Sequence, residues 1–336
     1  MTPEVRDEVV AFVGYWQQRG PFKVGQLLGW LSLGSSTYYS WPARQGQVNQ
    51  HNDQVPKAHW LLAWEQAAIE TYARAHPGQG YRRLSYQMLD EELVAVSPSS
   101  VYRVLQAAGL LSPWERKASS KGQGFEQPSQ AHQHWHIDIA YLKLGGIFYY
   151  LCSVLDGYSR YIVHWEIREQ MTETEVQLIL QRAREKFPTA RPRIISDNGP
   201  QFIAREFKLF IQVCGMTHVR TSPNYPQSNG KLERWHKTVK GEAIRPQTPL
   251  TLQEARRVVD QFVRYYNEVR LHSAIGYVTP KARLTGQDHQ ILAERQRKLA
   301  LARKLRRQAH QAEPASSIIN SSVQLVISEP QNSIFR

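Results

Sequence analysis

The chain has 336 residues, 42 Lys and Arg against 29 Asp and Glu, and a formal net charge of +13, with an isoelectric point near 9.7. At 41% hydrophobic and 21% charged residues it can bury a core, which excludes wholesale disorder, and no stretch approaches the eighteen or so apolar residues of a membrane span. Cys152 and Cys214 stand without a CxxC pair, so neither a disulfide framework nor a cysteine-based zinc site is supported. The opening MTPEVRDEVV lacks the apolar stretch of a signal peptide. The expectation is a soluble intracellular protein of two or three domains, whose positive excess points to a polyanionic partner.

In chain order, residues 24–31 (VGQLLGWL) predict a helix, and LGSS leads into a second over 36–41, a weak helix-turn-helix outline. Residues 45–55 are polar and read as a linker. A helix over 60–75 ends at His76-Pro77-Gly78. GYRRLSYQMLDEE predicts another, and VSPSSVYRVLQAAGLL its successor, with Ser97 as cap and Pro98 at the first helical position. Two short helices joined this way suit a DNA-reading unit that turns Tyr102 and Arg103 outward. A plain helical bundle fits the same pattern.

Residues 115–131 are rich in Lys, Ser, Gly and Gln and mark a domain boundary. Beyond it the periodicity becomes two. HWHIDIAYLKL, IFYYLCSVLD and YIVHWEI read as adjacent antiparallel strands. Thr172 with Glu175 forms a capping box, and Val176, Ile179, Leu180, Ala183 and Phe187 make one helical face. PRIISD is a short strand, 202–214 a helix, THVRTSP another strand. The loop NYPQSNG precedes a helix from Lys231, and a last capped helix runs over 251–266, with Glu254 completing its capping box. Strands first, then strand and helix in alternation, give a mixed sheet flanked by helices, an α/β domain. Residues 291–310 hold seven Arg or Lys and one acid, Glu294. This basic helix either tracks DNA phosphates or presents a solvated face. The end of the chain holds one strand or none.

Three acids stand out. Asp138 interrupts an apolar strand and shares a face with His136 and Ala140, opposite Ile137, Ile139 and Tyr141. Asp197 ends a strand and is followed by Asn198-Gly199. Glu233 lies in the first turn of a helix. A charge in a buried strand costs several kcal/mol unless neutralised, on the order of 3–5, and no basic residue adjoins Asp138 in sequence. One such acid is most simply a turn or a salt bridge. Three at a strand centre, a strand end and a helix start could converge on hard divalent cations. Asp156, in LDGYSR, reads as a turn-capping acid. The alternation of His132, His134 and His136 could bind a transition metal or simply lead into the first strand.

The acids Asp138, Asp197 and Glu233, with 35 residues between the last two, stand within WHIDIAYL, IISDNGPQF and SPNYPQSNGKLERWHKTVK. This pattern resembles the integrase catalytic core of the DDE transposases and retroviral-type integrases, in particular the OrfB-type transposases of bacterial insertion sequences. HPGQGYRRL with VYRVLQAAGL is similar to that family's helix-turn-helix, and LGSSTYYSW to its N-terminal motif. LDGYSRYIVHW fits the second and third core strands, and YYNEVRLHSAIGYVTP the closing segment. The resemblance spans roughly residues 30–285. Ala140 departs from it, where Thr is expected. The region before LGSSTYYSW is short, so an extra upstream DNA-binding and coiled-coil portion is expected to be missing.

The resemblance implies an RNase H-like core over 132–285, after helix-turn-helix-like units at 1–45 and 56–114 and a linker at 115–131, with a basic tail at 286–336. It implies a transposase that cuts DNA at its element's ends and joins 3′-hydroxyls to a target, with Asp138, Asp197 and Glu233 binding two Mg²⁺ ions, or Mn²⁺ as their substitute. DNA contacts are expected from Lys240, Lys237 and Arg234 on the Glu233 helix, from Asn198 beside Asp197, and from Tyr225 in the preceding loop. Arg82, Arg83 and Arg103 would add to them from the second helical unit. Lys240, two turns after Glu233 beside His236 and Lys237, would neutralise a terminal phosphate; its plainer reading is a solvated lysine. At least a dimer is expected on DNA, in the bacterial cytoplasm at the nucleoid. The rival readings are a DNA-binding regulator or inactive remnant without catalysis, and an RNase H-like nuclease that only hydrolyses.

Overall fold

The computed structural model describes residues 2–47, 60–111, 127–220 and 230–312. The chain divides into two units, residues 1–60 with 306–336, and residues 61–305. The linkers expected at 45–55 and 115–131 fall largely outside the described residues, as do the loop before Glu233 and the end of the chain.

In the smaller unit α1 (Pro3–Arg19), α2 (Val24–Trp30) and α3 (Ser35–Tyr39) enclose Val13, Leu27, Leu28, Tyr38 and Trp41. Helix α1 adds to what the sequence pattern indicated. Pro3 starts it at the position where a missing N–H costs nothing, but clustered valines and Gly14 blur its 3.6-residue period.

The larger unit begins with α4 (Ala63–Ala75), α5 (Tyr81–Asp90) and α6 (Pro98–Ala107). They close over Ile69, Leu84, Met88, Val101 and Leu105. The Ser97 hydroxyl accepts from the Ser100 N–H at 3.3 Å, the cap expected, and Tyr102 and Arg103 are exposed on α6.

The core follows: β1 (His134–Leu144), β2 (Ile147–Asp156), β3 (Ile162–Arg168), α7 (Glu173–Lys186), β4 (Arg193–Ser196), α8 (Pro200–Ile203), α9 (Arg205–Val213), β5 (Thr217–Arg220), α10 (Gly230–Val239), α11 (Arg245–Gln247), α12 (Leu252–Glu268), α13 (Pro280–Leu284) and α14 (Asp288–Ala312). Five strands form one sheet in the order β3-β2-β1-β4-β5. Strands β1, β2 and β3 are antiparallel neighbours, while β4 and β5 join β1 in parallel. This mixed sheet flanked by helices is the RNase H-like architecture that the resemblance implied.

Gly145 and Gly146, with φ of 53° and 89°, make the two-residue turn between β1 and β2. Positive φ at both positions matches the strands' twist and favours glycine. The turn sets the register, which pairs Asp138 with Ser153. The sheet then has two apolar faces. Trp135, Ile137 and Val154 pack beneath α7 and α9. Leu142, Leu144 and Leu151 pack beneath α10 and α12, which present Leu232, Trp235, Val239, Val259 and Tyr266.

Two elements differ in detail from the sequence reading. The helix expected over 202–214 is split, because Ala204 is extended and the Glu173 carboxylate accepts from the Phe207 N–H at 2.6 Å, capping a new helix start. Helix α10 leads into a π-helical turn, Lys240–Ile244. No helix among the described residues is long and apolar enough to cross a membrane.

Candidate active site

Asp138 lies mid-strand in β1, and the period of two turns its side chain to the α10 face. Its cross-strand neighbour Ser153 is buried, and the Ser153 hydroxyl accepts from Trp235 Nε1 at 3.0 Å. That bond, with Trp235 packed at 4.7 Å between ring centres against Tyr266, docks α10 beside Asp138. Two residues before Trp235 stands Glu233; one residue after it, His236 brings Nδ1 to 3.6 Å from Asp138 Oδ2. Burial and the nearby Lys240 charge push the His236 pKa down to about 3, so the imidazole is neutral at pH 7 and the contact is no ion pair.

The Asp138 carboxyl is pushed up to about 7. Burial contributes most, and the negative charges of Asp197 and Glu233 add to it; the Ile139 N–H, donating to Oδ1 at 2.9 Å, and the Lys240 ammonium oppose it. Residues from a strand centre, a strand end and a helix start therefore share one electrostatic neighbourhood. Lys240 is held lower than an ordinary lysine by burial and by Arg245, while Asp138 works the other way. Its cation thus lies in the field of the strand carboxylate. The neighbouring Lys237 is exposed.

Asp197 follows β4 and is exposed; its Oδ1 accepts from the Gly199 N–H at 2.9 Å, an Asx turn that sets the sharp exit. Asn198, Glu233 and Arg234 are exposed as well. Among the described residues, no three His, Cys, Asp or Glu side chains stand close enough to hold a metal ion between them. The donor chemistry nonetheless fits a hard divalent cation. The set is carboxylate oxygen only, Asp138 faces an accumulation of like charge, and Asp197 and Glu233 are exposed.

The remaining sequence candidates separate by burial. Asp156 is wholly buried, and its carboxylate accepts from the His132 N–H at 2.8 Å, the Ser159 N–H at 2.7 Å and the Ser159 hydroxyl at 2.6 Å, the turn-capping role read from LDGYSR. His134 and His136 are buried on the α10 face. His132 turns the other way, and its Nδ1 accepts from Trp135 Nε1 at 3.1 Å. The histidine alternation is thus divided between the faces. Ala140 is buried beside Asp138.

Arg82 is exposed and lies over the Tyr81 ring, and Arg103 reaches Ser100 Oγ at 3.3 Å. Arg83 is largely buried, close to the charges of Arg270 and Glu242. Tyr225 lies outside the described residues. In α14, Arg295 is buried and forks onto both Asp90 oxygens at 2.6 and 2.8 Å, while its Nη2 also donates to Tyr277 O. Part of that basic helix therefore straps α5 to the core instead of facing solvent. Sequence reasoning missed the Ser153–Trp235 anchor, although the Gly-Gly turn already implied that Ser153 faces Asp138.

Two family models, each described as an integrase core domain, match residues 128–226 and 214–280. An uncharacterized protein of insertion element IS476 from Xanthomonas euvesicatoria is 27% identical over 220 residues, covering 64% of this chain and 62% of that protein, under two thirds of its length. An uncharacterized protein of insertion element IS136 from Agrobacterium fabrum is 32% identical over 138 residues, 39% of this chain and 71% of the relative. Transposase InsD for insertion element IS2D from Escherichia coli is 26% identical over 221 residues, 61% of this chain and 73% of the relative. On these matches, this chain belongs to the insertion-sequence transposases of the DDE integrase superfamily.

Proposed function

We propose that the protein is a DNA transposase that cuts at the ends of its element and transfers the resulting 3′-hydroxyls into target DNA. One observation carries this reading: the Asp138 charge is opposed by Asp197 and Glu233, brought to it from two other segments of the chain. Asp138, Asp197 and Glu233 would hold the divalent metal, two Mg²⁺ ions in the fullest form of the proposal, with Mn²⁺ as a substitute. When bound, such ions activate a water or 3′-hydroxyl and stabilise the leaving oxygen of an in-line displacement at phosphorus.

The chain's own residues have distinct tasks. Asp138, rigid in mid-strand, gives the site its fixed point. Trp235 and Ser153 hold the Glu233 helix to that strand. His236, neutral and buried, fills the space behind Asp138 without taking its charge. Lys240 offers a cation for the phosphate of the terminal nucleotide, and Lys237, Arg234, Asn198, Arg82 and Arg103 are further candidates for backbone contacts. Two distant DNA ends must meet, so a homodimer or larger assembly on DNA belongs to the proposal.

The test is direct. Purified protein with Mg²⁺ or Mn²⁺ and labelled element-end duplex is expected to yield nicked and joined products. Asp197→Asn should abolish both while DNA binding persists. Full joining by that variant would remove Asp197 from the site, and absence of any metal-dependent product in the wild type would favour a non-catalytic DNA-binding role.

A further inference from the structure

Ser196 is the last residue of β4, and its ladder partner across the sheet is Arg220 of β5. Asp197 stands just beyond the strand, where a peptide needs some other anchor. The Ser196 side chain is wholly buried, and its hydroxyl donates to the Asp197 carbonyl at 2.9 Å. A hydroxyl has a single proton but two lone pairs. With the proton given to Asp197, Ser196 Oγ accepts from the Nε2–H of His218, 2.9 Å away on β5. A hydrogen-bond relay therefore runs from His218 through Ser196 to the Asp197 peptide.

The sheet and α9 fix the relay's outer end. His218 pairs with Ile194 in the parallel ladder, which puts its side chain on the same face as Ser196. Its ring meets the buried Phe207 ring edge to face at 5.2 Å between centres. Burial, with the charges of Arg220 and Lys208, pushes the imidazole down to about 4, so it is neutral at pH 7 and brings no charge toward the acid. On the far side of the peptide, Asp197 Oδ1 accepts from the Gly199 N–H at 2.9 Å, and a Cβ on Gly199 would come within 3.0 Å of that oxygen. Asp197 is thus held at its carbonyl from β5 and at its carboxylate by its own turn.

An apolar pair at 196 and 218 would serve the sheet as well, because polar partners replaced together by apolar groups of similar shape cost almost nothing in stability. What such a pair would lack is the hold on the Asp197 carbonyl. We propose that His218 is a positioning residue for Asp197: through the Ser196 hydroxyl it fixes the peptide, and with it the direction in which the carboxylate leaves the end of β4. The inference rests on the metal-binding role of Asp197 given above.

The experiment compares wild type with Ser196→Ala, His218→Leu, His218→Gln and Asp197→Asn, all as full chains. Amide exchange of the metal-free protein reports on Gly199, paramagnetic resonance of free Mn²⁺ gives the metal affinity, and strand joining is timed at saturating DNA. Ser196→Ala and His218→Leu should quicken exchange at Gly199 and weaken Mn²⁺ binding about tenfold, the lower end of what loss of a partner behind a metal ligand costs. Joining should slow by a similar factor with KM for DNA unchanged. The double variant should match the slower single one within about twofold, since both cut one relay. His218→Gln keeps an N–H at similar reach and should recover most of each loss. Wild-type exchange and Mn²⁺ affinity in Ser196→Ala overturn the inference, as does His218→Gln behaving no better than His218→Leu. If Asp197→Asn binds Mn²⁺ like wild type, the metal reading fails instead, and exchange at Gly199 decides the relay by itself. Should His218→Leu not fold, Ser196→Ala and His218→Gln decide on the same three readouts.

Discussion

The bond between Trp235 Nε1 and Ser153 Oγ makes a prediction that links packing to the site. Both side chains are buried, and the bond measures 3.0 Å. Ser153→Ala leaves the indole N–H buried without an acceptor, which costs about 1–3 kcal/mol. Trp235→Phe removes the donor and leaves a cavity of roughly 40 Å³, worth about 1 kcal/mol at ~24 cal/mol per Å³. It also weakens the ring contacts to Phe262 and Tyr266, about another 1 kcal/mol. The double variant pays for the lost bond once, so the two effects should fall short of additivity by about 1–2 kcal/mol. Urea titration reads this as midpoint shifts at constant slope.

The same variants should leave DNA binding nearly intact while slowing joining, because Glu233 rides on the anchored turn of α10. A displacement of about 1 Å can cost roughly 100-fold in rate. Additivity within about 0.3 kcal/mol, or joining at the wild-type rate in Ser153→Ala, would refute the anchor as the element that positions Glu233.

Three further outcomes follow from other buried groups. Asp156→Ala strands the N–H and hydroxyl of the buried Ser159 and the half-buried N–H of His132, and should destabilise the core by about 3–5 kcal/mol; a loss below about 1 kcal/mol in a urea titration would contradict its capping role. Asn267 accepts from the Ile162 N–H at 2.9 Å and donates to Ile162 O at 3.1 Å, so Asn267→Ala should cost about 2–3 kcal/mol, with faster hydrogen exchange at Ile162 as the local readout. For Glu166, burial would raise the pKa, but hydrogen bonds from His164, Arg182 and Arg168 outweigh it and hold the carboxyl at about 2. A lowered folded pKa means this stabilisation is complete above the ordinary value near 4.5 and fades as pH falls toward 2. Glu166→Gln should therefore be less stable than wild type at pH 7, by about 1–2 kcal/mol after solvent screening, and the gap should close between pH 5 and 2, roughly the window set by the two pKa values. A difference constant across that range would show that the ion cluster is not its source.

Much of the molecule was legible in the residues alone. Period-two runs of β-branched and aromatic side chains mark β1 to β3, because a half-buried pleat demands them. Thr172 with Glu175 and Thr251 with Glu254 mark helix starts, because orphan N–H groups need local acceptors. Asp138, Asp197 and Glu233 were recognisable as a set by type, spacing and setting. The register that opposes Ser153 to Asp138 was not read, although the Gly145-Gly146 turn that sets it stands in the sequence.

What the sequence alone left open depends on groups that meet across long separations. The charge that Asp138 feels from Asp197 and Glu233, the docking of α10 through Trp235, and the strap from Arg295 to Asp90 are all of this kind. Local pattern reports which face a residue takes within its own element, since backbone geometry sets the period. Which face it meets, and how far water is excluded between them, is decided only when the sheet and helices close on one another.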